Sequence, residues 1–295
     1  MKKIQKKVLL TGATGLIGKE LIAPLKQNGF EIYAITTQNI QKDNVNWLKG
    51  DIFDELSIKN VVSEVKPEYL LNLAWVTTGD YLNSELNYKF FDAGKKLLQC
   101  FRDQGGKRAL FAGTCFEYKF SDNPLREEDE LDFLKTKYTL YKHRLHEYAE
   151  DFCRNNDISY GYGRIFYVYG KDEHKNRLTA RVVNSLKNNQ KISINNANLI
   201  RDYVYNRDVA GALVKFLMTN VQGVVNICTG KGISIKEYVS MIGRIMNKED
   251  LITFIEDTDL TLPAIIIGNN ERLINQVGYV FENDLEFNLK EILGI

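Results

Sequence analysis

The feature that most limits the possible folds of this chain is a glycine-rich segment between a short apolar run and a helical pattern. Residues 11–18 read TGATGLIG, and helical periodicity extends over about 16–27. Gly12 permits a tight turn, Gly15 lets the backbone approach a ligand, and Gly18 lets the helix pack closely on the strand. The order strand, glycine turn, helix predicts a βαβ unit whose helix N-terminus binds the pyrophosphate of a dinucleotide.

Short apolar segments alternate with longer helical patterns through the first 170 residues. The strand candidates are residues 7–10, 31–35, 46–48, 69–74, 109–112 and 158–166. This alternation predicts an α/β fold, a Rossmann-type doubly wound parallel sheet with helices on both faces. Residues 171–295 have shorter and more mixed patterns, which predict a smaller mixed C-terminal lobe that binds substrate. We therefore divide the chain into 1–170 and 171–295, and we expect 202–230 to return to the first domain.

The charge balance and the cysteines exclude several kinds of protein. With 39 Lys and Arg against 38 Asp and Glu, the formal net charge is +1, whereas proteins that bind nucleic acid carry a basic excess. We also expect no membrane partner, because no apolar run approaches the roughly 18 residues of a membrane span. The four cysteines are widely separated and form no CxxC pair. We therefore expect no disulfide framework, no metal site and a location in the reducing cytoplasm.

The end of the second predicted strand bears on which dinucleotide is bound. NAD enzymes commonly place an acidic residue there, which accepts hydrogen bonds from the ribose 2′-hydroxyl. This chain has Thr36, Thr37 and Gln38 instead, so no carboxylate would repel a 2′-phosphate. The pattern favours NADP(H) over NAD(H), although the nearest cation is Lys42 and not an arginine.

A tyrosine and a lysine four residues apart form the candidate proton-transfer pair. Tyr138 and Lys142 lie in a helical pattern, and residues i and i+4 share one face of a helix. An ammonium lowers the pKa of a nearby phenol from about 10, which lets the phenol exchange a proton near neutral pH. The same spacing also fits the apolar stripe of a buried helix. The position of Thr114 favours the catalytic interpretation of this pair, because Thr114 follows a predicted strand at the sheet edge where ligands bind.

These ordered motifs resemble those of the extended short-chain dehydrogenase/reductase family, the group of nucleotide-sugar epimerases, dehydratases and reductases. Besides the residues above, the likeness includes NLAW at 72–75, Asn87, RIFYVYG at 164–170, RDYVY at 201–205 and NICTG at 226–230. It covers most of the chain. The resemblance implies a Rossmann-type dehydrogenase fold, a nicotinamide dinucleotide and a nucleotide-sugar substrate.

The resemblance also implies a role for each matching residue. Tyr138 would be the general acid/base at a sugar oxygen, Lys142 would hold the nicotinamide ribose, and Thr114 would hydrogen-bond the same sugar oxygen. The residues implied to contact the dinucleotide are Gly12, Thr14, Gly15, Leu16, Ile17, Thr36, Thr37, Asp51, Ile52, Leu73, Ala74, Asn87, Tyr138, Lys142 and Phe166. Those implied to contact the substrate are Thr114, Tyr167, Arg177 and Arg201. Arg201 matches the family arginine that contacts phosphates or ribose.

Departures from the family pattern bear on the reaction. Dehydratases of the family follow the threonine with an Asp-Glu pair, whereas Cys115 and Phe116 stand here, which disfavours elimination. A thiol at Cys115 also suggests proton shuttling at carbon, as in the bifunctional epimerase-reductases of the family, but their cysteine comes one position later. We therefore favour Cys115 as a small packing residue. Tyr167 and Tyr141 occupy positions near the substrate or nicotinamide where the family often has Asn and Ser. The resemblance therefore does not identify which sugar is bound.

Three hypotheses follow for the function. The first is an NAD(P)-dependent reductase that transfers hydride to the keto carbon of a nucleotide-activated 4-keto-6-deoxysugar, with Tyr138 as the proton donor. The alternative is a nucleotide-sugar 4-epimerase with tightly bound NAD, and the remote alternative is a non-catalytic dinucleotide sensor. The family implies a homodimer formed by the helices that carry Asn87 and Tyr138. We expect His143 and His146 to lie at the surface or in that contact.

Overall fold

The computed structural model describes residues 6–40, 45–255, 261–282 and 284–295. Its strands are β1 (Lys6–Thr11), β2 (Phe30–Thr36), β3 (Asn46–Lys49), β4 (Tyr69–Asn72), β5 (Arg108–Thr114), β6 (Ser159–Ile165), β7 (Tyr167–Tyr169), β8 (Ile192–Ile194), β9 (Ile200–Arg201), β10 (Tyr203–Tyr205), β11 (Gly223–Ile227), β12 (Ile233–Ser234), β13 (Ile252–Phe254) and β14 (Ile265–Ile266). Its α-helices are α1 (Ile22–Gln27), α2 (Glu55–Val65), α3 (Leu86–Asp103), α4 (Lys137–Arg154), α5 (Leu178–Lys187), α6 (Asn206–Met218), α7 (Ile235–Met246) and α8 (Leu285–Leu293). Lys42 lies outside the described residues.

Seven strands form the central sheet in the order β3-β2-β1-β4-β5-β6-β11. Every neighbouring pair in this sheet is parallel. Strand order reverses at β1, so the carboxyl ends of β1 and β4 border the crevice where doubly wound sheets bind ligands. All six predicted strands are present, and the Rossmann-type α/β fold is confirmed.

Helices cover both faces of the sheet. Val8 and Leu10 of β1 belong to one fully buried apolar cluster, which also contains residues of α1 and α6, including Leu25 and Leu213. Leu9 belongs to a second cluster on the opposite face, formed with residues of α2, α3 and α4. Because both faces are buried, the centre of β1 is a run of three consecutive apolar residues, 8–10. In the described part of the chain, no helix is both long and apolar enough to cross a membrane.

The residues after 170 contribute both to the sheet and to a separate core. β11 pairs in parallel with β6 at the edge of the central sheet, and α6 packs on the same face as α1. A distinct apolar cluster includes Val182 and Leu186 of α5 together with Tyr238 and Ile242 of α7. Three small sheets accompany it: β7 with β10, β8 with β13, and β12-β9-β14.

The helix after the glycine turn starts later than its periodicity predicts. A 3₁₀ turn occupies Gly18–Leu21, and α1 begins at Ile22 instead of near residue 16. Pro24 accounts for this difference, because proline has no N–H to donate to the carbonyl four residues earlier, and the chain before it tightens into a 3₁₀ turn. Leu16 and Ile17 therefore belong to the turn itself.

Candidate functional site

A cavity of about 1110 Å³ lies at the carboxyl ends of the central strands and extends to residues of the C-terminal core. It brings together every residue predicted for the site except Asn87. Its lining includes Gly12, Thr14, Gly15, Leu16, Ile17, Thr36, Thr37, Asp51, Ile52, Leu73, Ala74, Thr114, Tyr138, Lys142, Phe166, Tyr167, Arg177 and Arg201. The predicted dinucleotide and substrate residues thus line one continuous space.

The glycine turn borders this cavity and fits a pyrophosphate cradle. Gly12 has φ +72°, a left-handed conformation that favours glycine, and a Cβ there would lie 2.8 Å from the backbone nitrogen of Ala74. A Cβ at Gly15 would meet only the carbonyl oxygen of Gly12, at 3.2 Å. A Cβ at Gly18 would collide with that same carbonyl. The space left open at Gly15 is therefore where a dinucleotide phosphate can approach the backbone.

Three buried polar side chains hold the glycine turn in place. The Thr11 hydroxyl donates to Oδ1 of Asn72 at 2.5 Å and accepts from the backbone nitrogen of Ala74 at 3.1 Å. Asn206, which is 1% exposed, donates from Nδ2 to the Leu16 carbonyl at 3.0 Å. These bonds join β1, β4 and α6, so the turn is preorganised by contacts from three elements.

Thr114, Tyr138 and Lys142 line the same part of the cavity. Thr114 is the last residue of β5. α4 begins directly after Thr136, whose side chain caps the first turn. This start brings Tyr138 beside Thr114, and both side chains line the cavity. One turn later, Lys142 donates from Nζ to the carbonyl of Ala112 at 2.6 Å.

Burial controls the proton affinities of the tyrosine and the lysine. Tyr138 is 8% exposed, and burial raises its pKa above the ordinary value of about 10, with the nearby Thr114 acting in the opposite direction. Lys142 is 6% exposed, and burial lowers its pKa to about 7 against the attraction of Glu117. The sequence predicts that Lys142 lowers the pKa of Tyr138, but the net effect in this structure is a raised pKa, because burial of the phenol is the largest influence.

Two arginines bring positive charge to the end of the cavity beside the C-terminal core. Arg201 is 5% exposed and donates from Nη1 to two backbone carbonyls at 2.7 and 3.2 Å. Its guanidinium carbon lies 5.5 Å from the ring centroid of Tyr167. The ion pairs formed among the described residues do not include Arg201. Arg177 precedes α5 and contacts the Val168 carbonyl at 3.4 Å. Both guanidinium groups are placed to meet an anionic ligand.

Aromatic side chains that the sequence analysis did not single out form walls of the cavity. Tyr81 packs edge-on against Tyr138, with ring centroids 5.1 Å apart. Phe116 packs edge-on against Tyr167 at 5.6 Å and against Phe120 at 6.4 Å. Tyr81 lies in the loop between β4 and α3, whereas Phe116 and Phe120 lie in the connection between β5 and α4. No motif of the sequence joins these two segments.

Asn87, which the resemblance implies to contact the dinucleotide, does not line the cavity. It is fully buried, and its Oδ1 accepts from the indole N–H of Trp75 at 2.7 Å. Its Nδ2 donates to the carbonyls of Tyr81 and Ser84 at 2.7 and 2.9 Å. Both ends of the amide are thus used within the loop between β4 and α3. Asn87 holds that loop in place.

The positions of His143, His146 and Tyr141 on α4 also differ from expectation. Both histidines are only 6% exposed, so the prediction that they lie at the surface is wrong. His146 stacks on Tyr162 of β6 at 4.3 Å, because this side of α4 packs on the sheet. Tyr141 does not line the cavity but contacts Tyr88 of α3 at 5.6 Å.

A buried carboxylate next to the catalytic candidates was not predicted. Glu117 is fully buried and accepts from Tyr162 Oη at 2.5 Å and from Arg164 Nε at 3.2 Å. Burial alone would raise its pKa, but the nearby His143, whose Nδ1 lies 3.9 Å from the carboxylate, and the charge of Arg164 lower it. Glu117 is therefore ionised, and its charge favours the ammonium form of Lys142.

Comparisons with known proteins agree with this geometry. The sequence model of the NAD dependent epimerase/dehydratase family matches residues 8–228. GDP-6-deoxy-D-talose 4-dehydrogenase of Aggregatibacter actinomycetemcomitans is 24% identical over 291 residues, covering 95% of this chain and 93% of that protein. CDP-abequose synthase of Salmonella typhimurium is 23% identical over 311 residues, covering 99% of each. UDP-glucose 4-epimerase from Thermotoga maritima, solved with UDP-glucose, has the same fold, with a TM-score of 0.88, 20% identity and coverage of 98% and 97%.

Proposed function

Because this chain belongs to the NAD dependent epimerase/dehydratase family, we propose that it is an NAD(P)-dependent reductase of a nucleotide-activated 4-keto-6-deoxysugar. It is an enzyme of the extended short-chain dehydrogenase/reductase type. The observation that carries the proposal is one cavity that holds Thr114, Tyr138 and Lys142 between the glycine turn and Arg201. In this proposal, the first 170 residues and 202–230 hold the dinucleotide, and the remainder of 171–295 holds the sugar nucleotide.

The side chains of the cavity each act on a different part of the reaction. When bound, the reduced nicotinamide supplies the hydride that reaches the keto carbon. Tyr138 gives its phenolic proton to the keto oxygen, and Thr114 donates a hydrogen bond to the same oxygen as negative charge develops there. Lys142 donates from its ammonium to a ribose of the dinucleotide. Arg201 pairs with the phosphates of the sugar nucleotide.

The protonation state of Tyr138 suits it to donate a proton. Burial raises the pKa of this phenol, so it carries a proton at neutral pH, as a donor to a carbonyl must. A 4-epimerase would use the same phenol in both directions, so cofactor stoichiometry distinguishes the two reactions. Elimination also lacks its acid and base, because Cys115 and Phe116 follow Thr114, and burial raises the pKa of the Cys115 thiol.

The aromatic walls support a deoxygenated sugar. Tyr81, Phe116 and Tyr167 line the cavity together with Tyr138. The ring faces of these residues offer apolar contact to a methyl group at C6. The similarity to GDP-6-deoxy-D-talose 4-dehydrogenase agrees with this choice.

The stoichiometry of the cofactor tests the reductase against its alternatives. The purified enzyme is incubated with reduced nicotinamide and with 4-keto-6-deoxysugars activated by CDP, GDP, UDP or dTDP. We expect one reduced nicotinamide to be oxidised for each product molecule. A second assay supplies nucleotide sugars that carry a C4 hydroxyl, and their conversion without a net change in nicotinamide absorbance would instead identify a 4-epimerase. Dinucleotide binding without turnover of any nucleotide sugar would identify the non-catalytic sensor.

We propose that NADP(H) binds more tightly than NAD(H). Thr36, Thr37 and Gln38 line the cavity at the end of β2, and the Thr36 hydroxyl accepts from the Gln38 backbone at 3.1 Å. A 2′-phosphate there would meet hydroxyl and amide groups instead of a carboxylate. Isothermal titration calorimetry is expected to give a lower Kd for NADPH than for NADH. A lower Kd for NADH would reverse the assignment.

A further inference from the structure

Lys142 has few partners for a buried ammonium. Its Nζ donates one hydrogen bond, to the Ala112 carbonyl at 2.6 Å, and it takes part in none of the ion pairs of the described residues. The ring centroid of Trp75 lies 4.3 Å from Nζ. This is the distance of a cation–π contact, in which the negative face of the ring attracts the cation.

The indole of Trp75 is fixed from two sides. Its N–H donates to Oδ1 of the fully buried Asn87 at 2.7 Å. The ring of Phe90 stacks on it, with centroids 5.5 Å apart and an interplanar angle of 24°. Trp75 also lines the cavity. The ring can therefore turn away from Lys142 only if the Asn87 hydrogen bond breaks.

The loop that carries Trp75 contacts both members of the Tyr138 and Lys142 pair. Tyr81, in the same loop, packs edge-on against Tyr138 at 5.1 Å. Asn87 holds this part of the loop as well, through the Tyr81 carbonyl at 2.7 Å. One buried amide thus places an aromatic ring against each of the two side chains.

We propose that Trp75 is a positioning residue, whose indole face holds the Lys142 ammonium charged and directed into the dinucleotide cleft. With one N–H bound to Ala112, the ammonium keeps two donors for the ribose hydroxyls. The inference rests on the proposed function for the role of Lys142. It adds a residue that acts on the ammonium and not on the substrate.

The other charged and titratable groups around Lys142 come from three elements. Glu117, in the turn after β5, favours the charged form of Lys142. The Nε of Arg164, in β6, lies 3.2 Å from the carboxylate of Glu117. Tyr138, His143 and His146 share α4 with Lys142. Burial lowers the pKa of Lys142 to about 7. A modest change in the stabilisation of its cation therefore changes its charge at neutral pH.

The test reduces the negative electrostatic potential of the indole face while nearly preserving the shape of the ring. The chain has two tryptophans, so in a Trp47→Phe background, tryptophan analogues with one, two or three ring fluorines label Trp75 alone. Fluorine withdraws electron density from the ring, while the indole N–H still donates to Asn87. The Kd of NADH is measured from about pH 6 to pH 9 by the emission of the directly excited nicotinamide. NADPH is measured in parallel, because its 2′-phosphate titrates near pH 6.

We expect affinity to fall about tenfold as the pH rises through the pKa of Lys142, because the charge-assisted hydrogen bonds to ribose are lost. The midpoint should move to lower pH with each added fluorine, by about one pH unit over the series. Trp75→Leu should give a similar shift of the midpoint. Trp75→Phe keeps an aromatic face, so its midpoint should lie close to that of the native chain. Lys142→Met should abolish the transition.

Two results would overturn the inference. The first is a midpoint that stays constant across the fluorine series. The second is a transition that persists in Lys142→Met, since it would then belong to another group. The measurement uses no nucleotide sugar, so an enzyme that fails the reductase assay still gives a result for Trp75. Conversely, a constant midpoint leaves the reductase proposal standing.

Discussion

At the scale of the single residue, burial and neighbouring side chains set the proton affinity of Tyr138. The phenol is 8% exposed and lies beside Thr114, and burial raises its pKa. It therefore stays protonated until a developing oxyanion draws the proton away. Sequence spacing alone placed the phenol beside an ammonium but could not give the sign of its pKa shift, which depends on how much solvent the fold removes.

Tyr138→Phe is expected to lower kcat by about 10²- to 10⁴-fold, because the variant keeps the ring but has no proton to donate. The dinucleotide Kd should change by less than about twofold, since the variant keeps the packing of the cleft. Steady-state kinetics and calorimetry measure the two quantities. Tyr141→Phe is the matched control on the same helix, because Tyr141 contacts α3 and not the cavity. Full activity of Tyr138→Phe would refute the assignment.

Gly15→Ala should fold normally and bind dinucleotide at least about tenfold more weakly. An added Cβ would meet only the Gly12 carbonyl, at 3.2 Å, so the methyl group takes up space that the pyrophosphate needs. Thermal unfolding and calorimetry check the two halves of this expectation. Gly29→Ala is the control, because Gly29 has φ +78° and no neighbour within 4 Å of an added Cβ. That variant should lose stability and keep its affinity, and equal affinity in Gly15→Ala would contradict the cradle.

α4 is the element on which the active site depends most. Its cap at Thr136 sets the first turn, and its buried residues include Tyr138 and Lys142 as well as His143 and His146. The i, i+4 spacing of the first pair was readable from sequence. The burial of the histidines was not, because polar residues ordinarily indicate a solvent-facing side, and only packing against β6 shows otherwise.

His146 is expected to make stability fall with acid. Burial lowers its pKa to about 4, below the roughly 6.5 of an unfolded histidine. The neutral ring is favoured in the fold, so its contribution is complete above about pH 6.5 and declines as the pH falls toward 4, by about 3 kcal/mol in all. Urea unfolding at several pH values measures the slope for the native chain and for His146→Phe. The variant should lose less stability in acid, and identical slopes would contradict this assignment.

At the scale of the whole molecule, a chain of nearly neutral net charge builds local sites for anions. The formal net charge is +1, yet the cavity has the glycine turn near one end and Arg201 near the other. A small anionic ligand needs only such placed donors, whereas a polyanion would need an extended basic face.

The outer surface of α3 and α4 is expected to form a homodimer contact. Tyr88 is 52% exposed and packs with Phe91 and Tyr141, at 6.4 and 5.6 Å. An aromatic patch of this kind is typical of an interface. Sedimentation at micromolar concentration should show a dimer, and Tyr88→Arg should dissociate it. Phe287→Arg, on α8 and 55% exposed in the native chain, should leave the dimer intact. A monomeric native chain would contradict the expectation.

The sequence by itself determined the features that depend on neighbouring residues. The glycine turn was readable because a tight turn needs Gly12 at the end of β1. The strand and helix alternation was readable because both faces of the sheet are covered, and this makes Val8, Leu9 and Leu10 of β1 consecutive apolar residues. The proton-transfer pair was readable because helix geometry alone places Tyr138 and Lys142 on one face.

Only the tertiary structure decided which distant side chains surround those local features. Asn206 holds the glycine turn from 190 residues away, and Glu117 meets Arg164 across 47 residues. The path of the loop between β4 and α3 places Trp75 against Lys142 and keeps Asn87 out of the cavity lining. Such contacts depend on the packing of separate elements, which places residues together without leaving any spacing in the sequence, and burial then sets their pKa values.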